Sequence, residues 1–170
     1  MTRSKKSLSV LRVEEALLKA GYKDKVKELD QTARSAKDAA ASLNVKLGAI
    51  VKTLVFCFKQ QECKKPAIAL ISGDKICDVE ELQNEMAIEG KHFRIGAEEV
   101  KQITSYTIGG VSPVGLPPEI PIAIDEALFR FEEVWCAAGN QFFVFPISPK
   151  NLILLTNGVV SSKIGISADR

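Results

Sequence analysis

The sequence predicts an α+β protein, a mixed and mostly antiparallel barrel-like sheet flanked by helices. Three observations predict it. Apolar, β-prone runs, of which VKTLVFCF at residues 51–58 is the strongest, are mixed with segments of helical periodicity. Neighbouring strand candidates are joined by short connections of hairpin type, not by regular helical crossovers. No repeat or linker-like stretch divides the 170 residues, a length suited to one domain.

The elements follow in order. Residues 9–20 read as a first helix, because Val10, Val13, Leu17 and Ala20 recur at helical spacing, with Leu11 and Leu18 widening the stripe. Gly21 suits the position just past its end. The chain, 1–170, is read as a single domain with 1–22 as an N-terminal helical appendage. Residues 25–29 suggest a short strand. Residues 35–43 form a second helix, with Ser35 and Asp38 as a capping pair and an alanine-rich body. Residues 51–58 and 67–71 pair as a hairpin across 59–66. Residues 78–88 form a third helix with Val79, Leu82 and Met86 as its buried stripe, and 97–103 a shorter fourth. Strands are expected at 120–124, 134–138 and 142–147. A last helix covers 149–155, with Pro149 in its first turn, and a short strand covers 159–164.

Composition bounds the function. At 46% hydrophobic, 26% charged and a net charge of +2, the chain reads as a soluble globular protein. The net charge alone does not indicate nucleic-acid binding. Basic clusters at Arg3-Ser4-Lys5-Lys6, at Lys19, Lys23, Lys25 and Lys27, and at Lys59, Lys64 and Lys65 read as solvated surface or as a phosphate-attracting face. The cysteines Cys57, Cys63, Cys77 and Cys136 include no C-x-x-C pair, and His92 is the single histidine, so no conventional zinc site is expected. Cys57 and Cys136 sit in apolar runs and read as small core residues. No signal-peptide pattern and no apolar run of membrane-spanning length is present. The default reading is a reduced, cytoplasmic protein without a membrane or DNA partner, and without metal or cofactor.

Familiar catalytic arrangements are missing. A Ser-His-Asp or Cys-His mechanism would have to pass through His92, which sits in a polar stretch and reads as an exposed loop residue. There is no phosphate-binding lysine loop, dinucleotide fingerprint or H-E-x-x-H pair. Asp125, at the end of an apolar run, either caps the following turn or orients groups in a site. Two anomalies remain. Lys52 heads the strand face shared by Leu54, Phe56 and Phe58; it either snorkels to water or holds an ammonium at the rim of a pocket. The stretch GGVSPVG at residues 109–115 has glycines where positive φ or close ligand approach is needed. Ser112-Pro113 adds an extended kink. It is either a structural Ω-type loop or a nest of N–H groups for an oxyanion.

Together these segments resemble the YbaK-like aminoacyl-tRNA deacylases, the prolyl-tRNA-synthetase-associated editing domain family. Ile50-Val51-Lys52-Thr53-Leu54-Val55-Phe56 is similar to that family's lysine strand, and Gly109-Gly110-Val111-Ser112-Pro113-Val114-Gly115 to its G-G-[IV]-S-P-x-G loop. Upstream, Ala39-Ala40 and Leu43-Asn44-Val45 match its alanine helix. Ala69-Leu70-Ile71-Ser72-Gly73-Asp74, Pro121-Ile122-Ala123-Ile124-Asp125, Ala137-Ala138-Gly139 and the helix from Pro149 match further segments. The resemblance spans residues 26–164.

The resemblance implies a trans-editing hydrolase that deacylates mischarged aminoacyl-tRNA, either tRNA-Pro or a related tRNA carrying a small wrong amino acid. Lys52 and Gly109 are its implied catalytic residues. Thr53, Ser72, Gly110, Ser112, Pro113, Gly115, Asp125 and Gly139 are implied substrate contacts. The implied partner is the charged tRNA, with a synthetase as a candidate second partner and no cofactor. The alternative is a non-catalytic tRNA- or synthetase-binding module of the same fold. Three departures stand out. Ser105 replaces the glycine of the family's T-G-Y. Ala137 and Val144 occupy positions where some members have serine and aspartate, which argues against the cysteine-editing subtype. Asn140 stands where nearer members have histidine.

Overall fold

A computed structural model describes residues 6–169; Arg3 and Lys5 of the first basic cluster lie outside them. The chain runs α1 (Leu8–Lys19), β1 (Lys27–Glu28), α2 (Ala36–Leu43), β2 (Val51–Gln60), β3 (Cys63–Ser72), β4 (Lys75–Cys77), α3 (Val79–Glu85) and β5 (Lys91–Phe93). It continues with α4 (Ala97–Thr104), β6 (Ile122–Asp125), β7 (Val134–Ala137), β8 (Phe143–Ile147), α5 (Pro149–Thr156), β9 (Val159–Ser161) and β10 (Gly165–Ser167). Single 3-10 turns at Leu47–Ala49 and Glu126–Arg130 precede β2 and follow β6.

The central sheet has the order β5-β2-β3-β6-β9. Its β2–β3 and β2–β5 pairings are antiparallel, whereas β3–β6 and β6–β9 are parallel. A second, antiparallel sheet has the order β1-β8-β7, and β4 pairs with β10. The class is α+β with mostly antiparallel pairing, as expected. Among the described residues the sheet is not closed; a parallel bridge between Ile50 and Trp135 joins its two parts.

The longest ladder is longer than the sequence suggests. β2 and β3 pair from Val51↔Ser72 to Gln60↔Cys63, so the expected eight-residue loop shrinks to Gln61-Glu62, with Gln61 at φ 55°. The polar residues Lys59, Gln60 and Lys64 read as loop, but they continue the strands past the core into solvent. The third helix, in contrast, is shorter than expected. Ala87 turns left-handed at φ 49°, and Ile88 N–H donates back to Gln83 O at 3.0 Å, which closes the helix. His92, expected in a loop, lies on edge strand β5 and packs against the rings of Phe56 and Phe58. The last expected strand, 159–164, forms only over β9, and β10 lies beyond it.

Helix α1 belongs to the main core. Val10, Val13 and Leu17 are fully buried in one cluster with Tyr106, Val111, Val114 and Ala138. Leu11 and Leu18, expected to widen its stripe, stay exposed at 46% and 58%. The buried face is therefore narrow and docks against the glycine-rich loop. Truncating Leu17 to alanine should cost about 2–5 kcal/mol of stability by cavity formation. Urea unfolding of the full chain measures this, and a loss near zero would show α1 to be dispensable.

Candidate active site

The middle of β2, paired with β3 on one edge and free on the other, forms the floor of a cavity of about 420 Å³, a size suited to a small ligand. Residues 51–56 border it from below. One wall is Arg34 to Ala36 with Ala39, at the start of α2. Trp135, Ala137, Phe143 and Val144 of the second sheet form another. Ile108, Gly109 and Val111 close the third side, with Asn140 and Gln141 at the rim. Small side chains at Ala36, Ala39 and Ala137 leave the space open.

The glycines of residues 109–115 have different jobs. Gly109 has φ +89°, is exposed, and would meet nothing within 4 Å if it carried a Cβ. Its N–H makes no hydrogen bond among the described residues. Gly110 is buried, and its N–H donates to Thr107 O at 3.0 Å. Its carbonyl accepts from Gly139 N–H at 3.1 Å, and a Cβ there would meet Asn140 backbone at 2.5 Å. Gly139, at φ +98°, is pressed in turn against the backbone of Ser9 and Val10. Gly115 faces Tyr106 Oη and the Arg12 stem. Tyr106 is fully buried, donates to Val114 O at 2.7 Å, and has its pKa pushed up by burial to about 12. The loop is thus braced from behind by a neutral phenol and by α1.

Lys52 is half-buried and borders the cavity, while its ammonium donates to Lys75 O. Burial lowers its pKa; the carboxylates of Asp74 and Asp125 oppose that shift. Beyond it lies a dense polar network. Asp125 Oδ2 accepts from Ser72 N–H at 3.1 Å and Oδ1 from Ala127 N–H at 2.9 Å. Arg130 grips Asp74 through two hydrogen bonds of 2.7 and 3.0 Å. Arg130 also donates to Ser72 Oγ, which lies 2.6 Å from Gly48 O. Asp125 therefore both caps the following 3-10 turn and orders the strand beside it.

A family model described as the aminoacyl-tRNA editing domain matches residues 30–155. The chain belongs to the aminoacyl-tRNA editing domain family. A protein of Enterococcus faecalis, named as a candidate Cys-tRNA(Pro)/Cys-tRNA(Cys) deacylase, is 28% identical over 127 residues, 73% of each chain. A solved structure described as a candidate trans-editing enzyme for prolyl-tRNA synthetase superposes with a TM-score of 0.82 at 34% identity. It covers 92% of this chain and 97% of that one. A protein solved in work on computational epitope grafting onto scaffold proteins gives the same TM-score at 32% identity, over the same shares of the two chains. The family supports a hydrolytic role on aminoacyl-tRNA, and among the described residues no helix of the editing domain is long and apolar enough to cross a membrane.

Within this editing domain, the residues anticipated from sequence separate into four places. Lys52, Thr53 and Gly109 border the cavity. Ser72 and Asp125 lie in the polar network behind it. Gly110, Ser112 and Gly139 are buried loop supports, Ser112 Oγ accepting from Val114 N–H at 3.4 Å. Pro113 and Gly115 face a separate groove between α1 and α5. The departures also find places. Ser105 is the left-handed C-cap of α4 at φ 62°, so the glycine common there serves backbone geometry. Ala137 and Val144 turn hydrocarbon to the cavity. Asn140 Oδ1 accepts from Phe142 N–H at 2.9 Å, which fixes its turn. Sequence reasoning missed Arg34, Ile108 and Trp135 as cavity residues, and the Asp74–Arg130 pair. The one available signal is the alanine-rich body of α2.

The thiols offer no nucleophile in the interior. Burial pushes Cys77 up to about 12 and raises Cys57 and Cys136, so all three stay protonated near neutral pH.

Gly110→Ala should lower Tm sharply, because backbone blocks its Cβ. Gly109→Ala should fold with a loss of only about 1–2 kcal/mol from its left-handed φ; equal losses in thermal unfolding would contradict the division of roles. Hydrogen bonds from Arg130 hold the Asp74 carboxyl below its ordinary value of 3.8, burial opposing. A depressed carboxylate stabilises fully above its unfolded pKa and loses that contribution as pH falls through its folded pKa. Asp74→Asn should therefore be less stable than wild type at pH 7, and the gap in Tm should close below pH 3.8.

Proposed function

We propose that this chain is a trans-editing hydrolase that cleaves the ester joining a wrong amino acid to the 3′ end of a tRNA. The observation that carries the reading is Gly109, an exposed, left-handed glycine with an unpaired N–H, on the same cavity as Lys52. The Gly109 N–H stabilises the ester carbonyl as it becomes an oxyanion. Gly110, whose N–H is taken by Thr107, holds that donor in place. Lys52 supplies the positive charge for the carbonyl or the terminal phosphate. Water attacks the carbonyl carbon, and the ribose oxygen leaves with a proton. With no titratable side chain among the described residues placed as a base, a ribose hydroxyl of the substrate activates that water.

Selection is by size. The cavity is walled by Ala39, Ala137, Val144 and Phe143, which suits a small, apolar side chain. Apolar pockets separate substrates by only about 1–3 kcal/mol per methylene, so a second, post-transfer site adds useful discrimination. The relatives described as acting on prolyl systems support tRNA-Pro or a related tRNA as the carrier.

A panel of mischarged tRNAs, assayed for amino-acid release, tests the reading. Wild type should release a small wrong amino acid, and Lys52→Ala should lose about 100-fold or more in kcat/KM with an unchanged fold by circular dichroism. Near-wild-type turnover by that variant would sink the mechanism. Binding of charged tRNA without release would identify a binding module instead.

A further inference from the structure

Strand β2 has one edge covered along its whole length by β3. The other edge is covered only at its ends. Ile50 bridges to Trp135, and Cys57 to Lys59 pair with β5. Among the described residues no strand pairs with this edge at residues 52–56, and the cavity lies against that gap. The register tells which groups face it. Ile68 N–H donates to Pro121 O at 2.9 Å and Ser72 N–H to Asp125 Oδ2 at 3.1 Å. Alternate residues of β3 therefore point away from β2. Their ladder partners Val55, Thr53 and Val51 must point their own main-chain groups away from β3. The pairing of Cys57 and Lys59 with β5 continues the same alternation.

Thr53 and Val55 thus each offer an N–H and a C=O to the cavity. Thr53 adds a buried hydroxyl, Oγ1, with no hydrogen-bond partner. Buried polar groups are normally paired, and the neighbouring walls are hydrocarbon. A set of unpaired donors and acceptors on an otherwise apolar surface is the mark of a site completed by its ligand.

We infer that Thr53 reads the amino-acid moiety, which docks on the free edge of β2 as a strand one residue long. This rests on the hydrolase reading above. An α-aminoacyl ester carries the two groups of a peptide residue, a donor ammonium on one side of Cα and an acceptor carbonyl on the other. Opposite Thr53, the ammonium donates to Thr53 C=O and the ester carbonyl accepts from Thr53 N–H through one lone pair, as in one hydrogen-bonded antiparallel pair, its other lone pair being left for Gly109 N–H. Residues opposed in such a pair carry their side chains on the same face. The substrate side chain therefore enters on the face of Thr53 and Val55, towards Val100, Val111 and Phe143, which also line the cavity. Oγ1 lies beside it. Thr53 is a specificity residue in this scheme because an acyl group without the α-ammonium forfeits half of the pair.

The test uses the full chain with two esters of one tRNA, alanyl and propionyl, which differ in the ammonium alone. Each rate is divided by that ester's spontaneous hydrolysis. The normalised kcat/KM should fall at least tenfold for propionyl. In parallel, amide hydrogen exchange is followed with 3′-alanylamino-3′-deoxyadenosine, a non-hydrolysable amide. The Thr53 amide should exchange faster than that of Leu54, which faces β3, and slow at least tenfold when the analogue saturates. Equal normalised rates, or an unprotected Thr53 amide in the analogue-bound protein, overturn the docking and leave the hydrolase reading standing. Hydrolysis of neither ester overturns both.

Discussion

The ten-rung antiparallel pairing of β2 with β3 is the constraint from which the site follows. It fixes which main-chain groups of β2 are spent inside the sheet and which are left over. It also fixes the two faces of the strand, so Lys52 points to the polar network while Thr53 points to the main core. Because the free edge looks into the cavity, residues of both faces border one space. A slip of one rung would exchange them and place a threonine where the charge is needed.

Stiffness at the far end of that ladder comes from charge. Ser72 ends β3, and Asp125 ends β6; the hydrogen bond between them ties the two strands at the point where both leave the sheet. Arg130 and Asp74 then clamp the turns on either side. The pair is partly exposed, and its value is geometric more than energetic. It holds Lys75 in position, whose carbonyl receives the Lys52 ammonium. The lysine is therefore oriented by groups that never touch the cavity.

Much of this was legible in the sequence, for identifiable reasons. Helical spacing marks α1, the Ser35–Asp38 cap and alanine run mark α2, Pro149 marks the start of α5, and β-prone apolar runs mark the main strands. Lys52 and the residue 109–115 loop stood out because a charge on an apolar face and clustered glycines both break local rules. What escaped were features set by distant partners. Short strands such as β4 and β10 exist through their pairing with each other, and Gln61-Glu62 turns tightly because the ladder demands it. Gly110 and Gly139 look alike in sequence to Gly109, yet only contacts from Asn140 and Ser9 make them structural. Arg34 and Trp135 gave no local signal, since it takes the meeting of two sheets at Ile50 to bring them to one wall.

The wedging of α1 against Gly139 and behind Tyr106 has one more consequence. Both loops that frame the cavity lean on a helix lying outside the family-model match at residues 30–155. A sequence change in that helix can reshape the loops by fractions of an ångström without altering any group that meets the substrate. The shape of the cavity is thus open to adjustment from the rear, through a helix that does not line it.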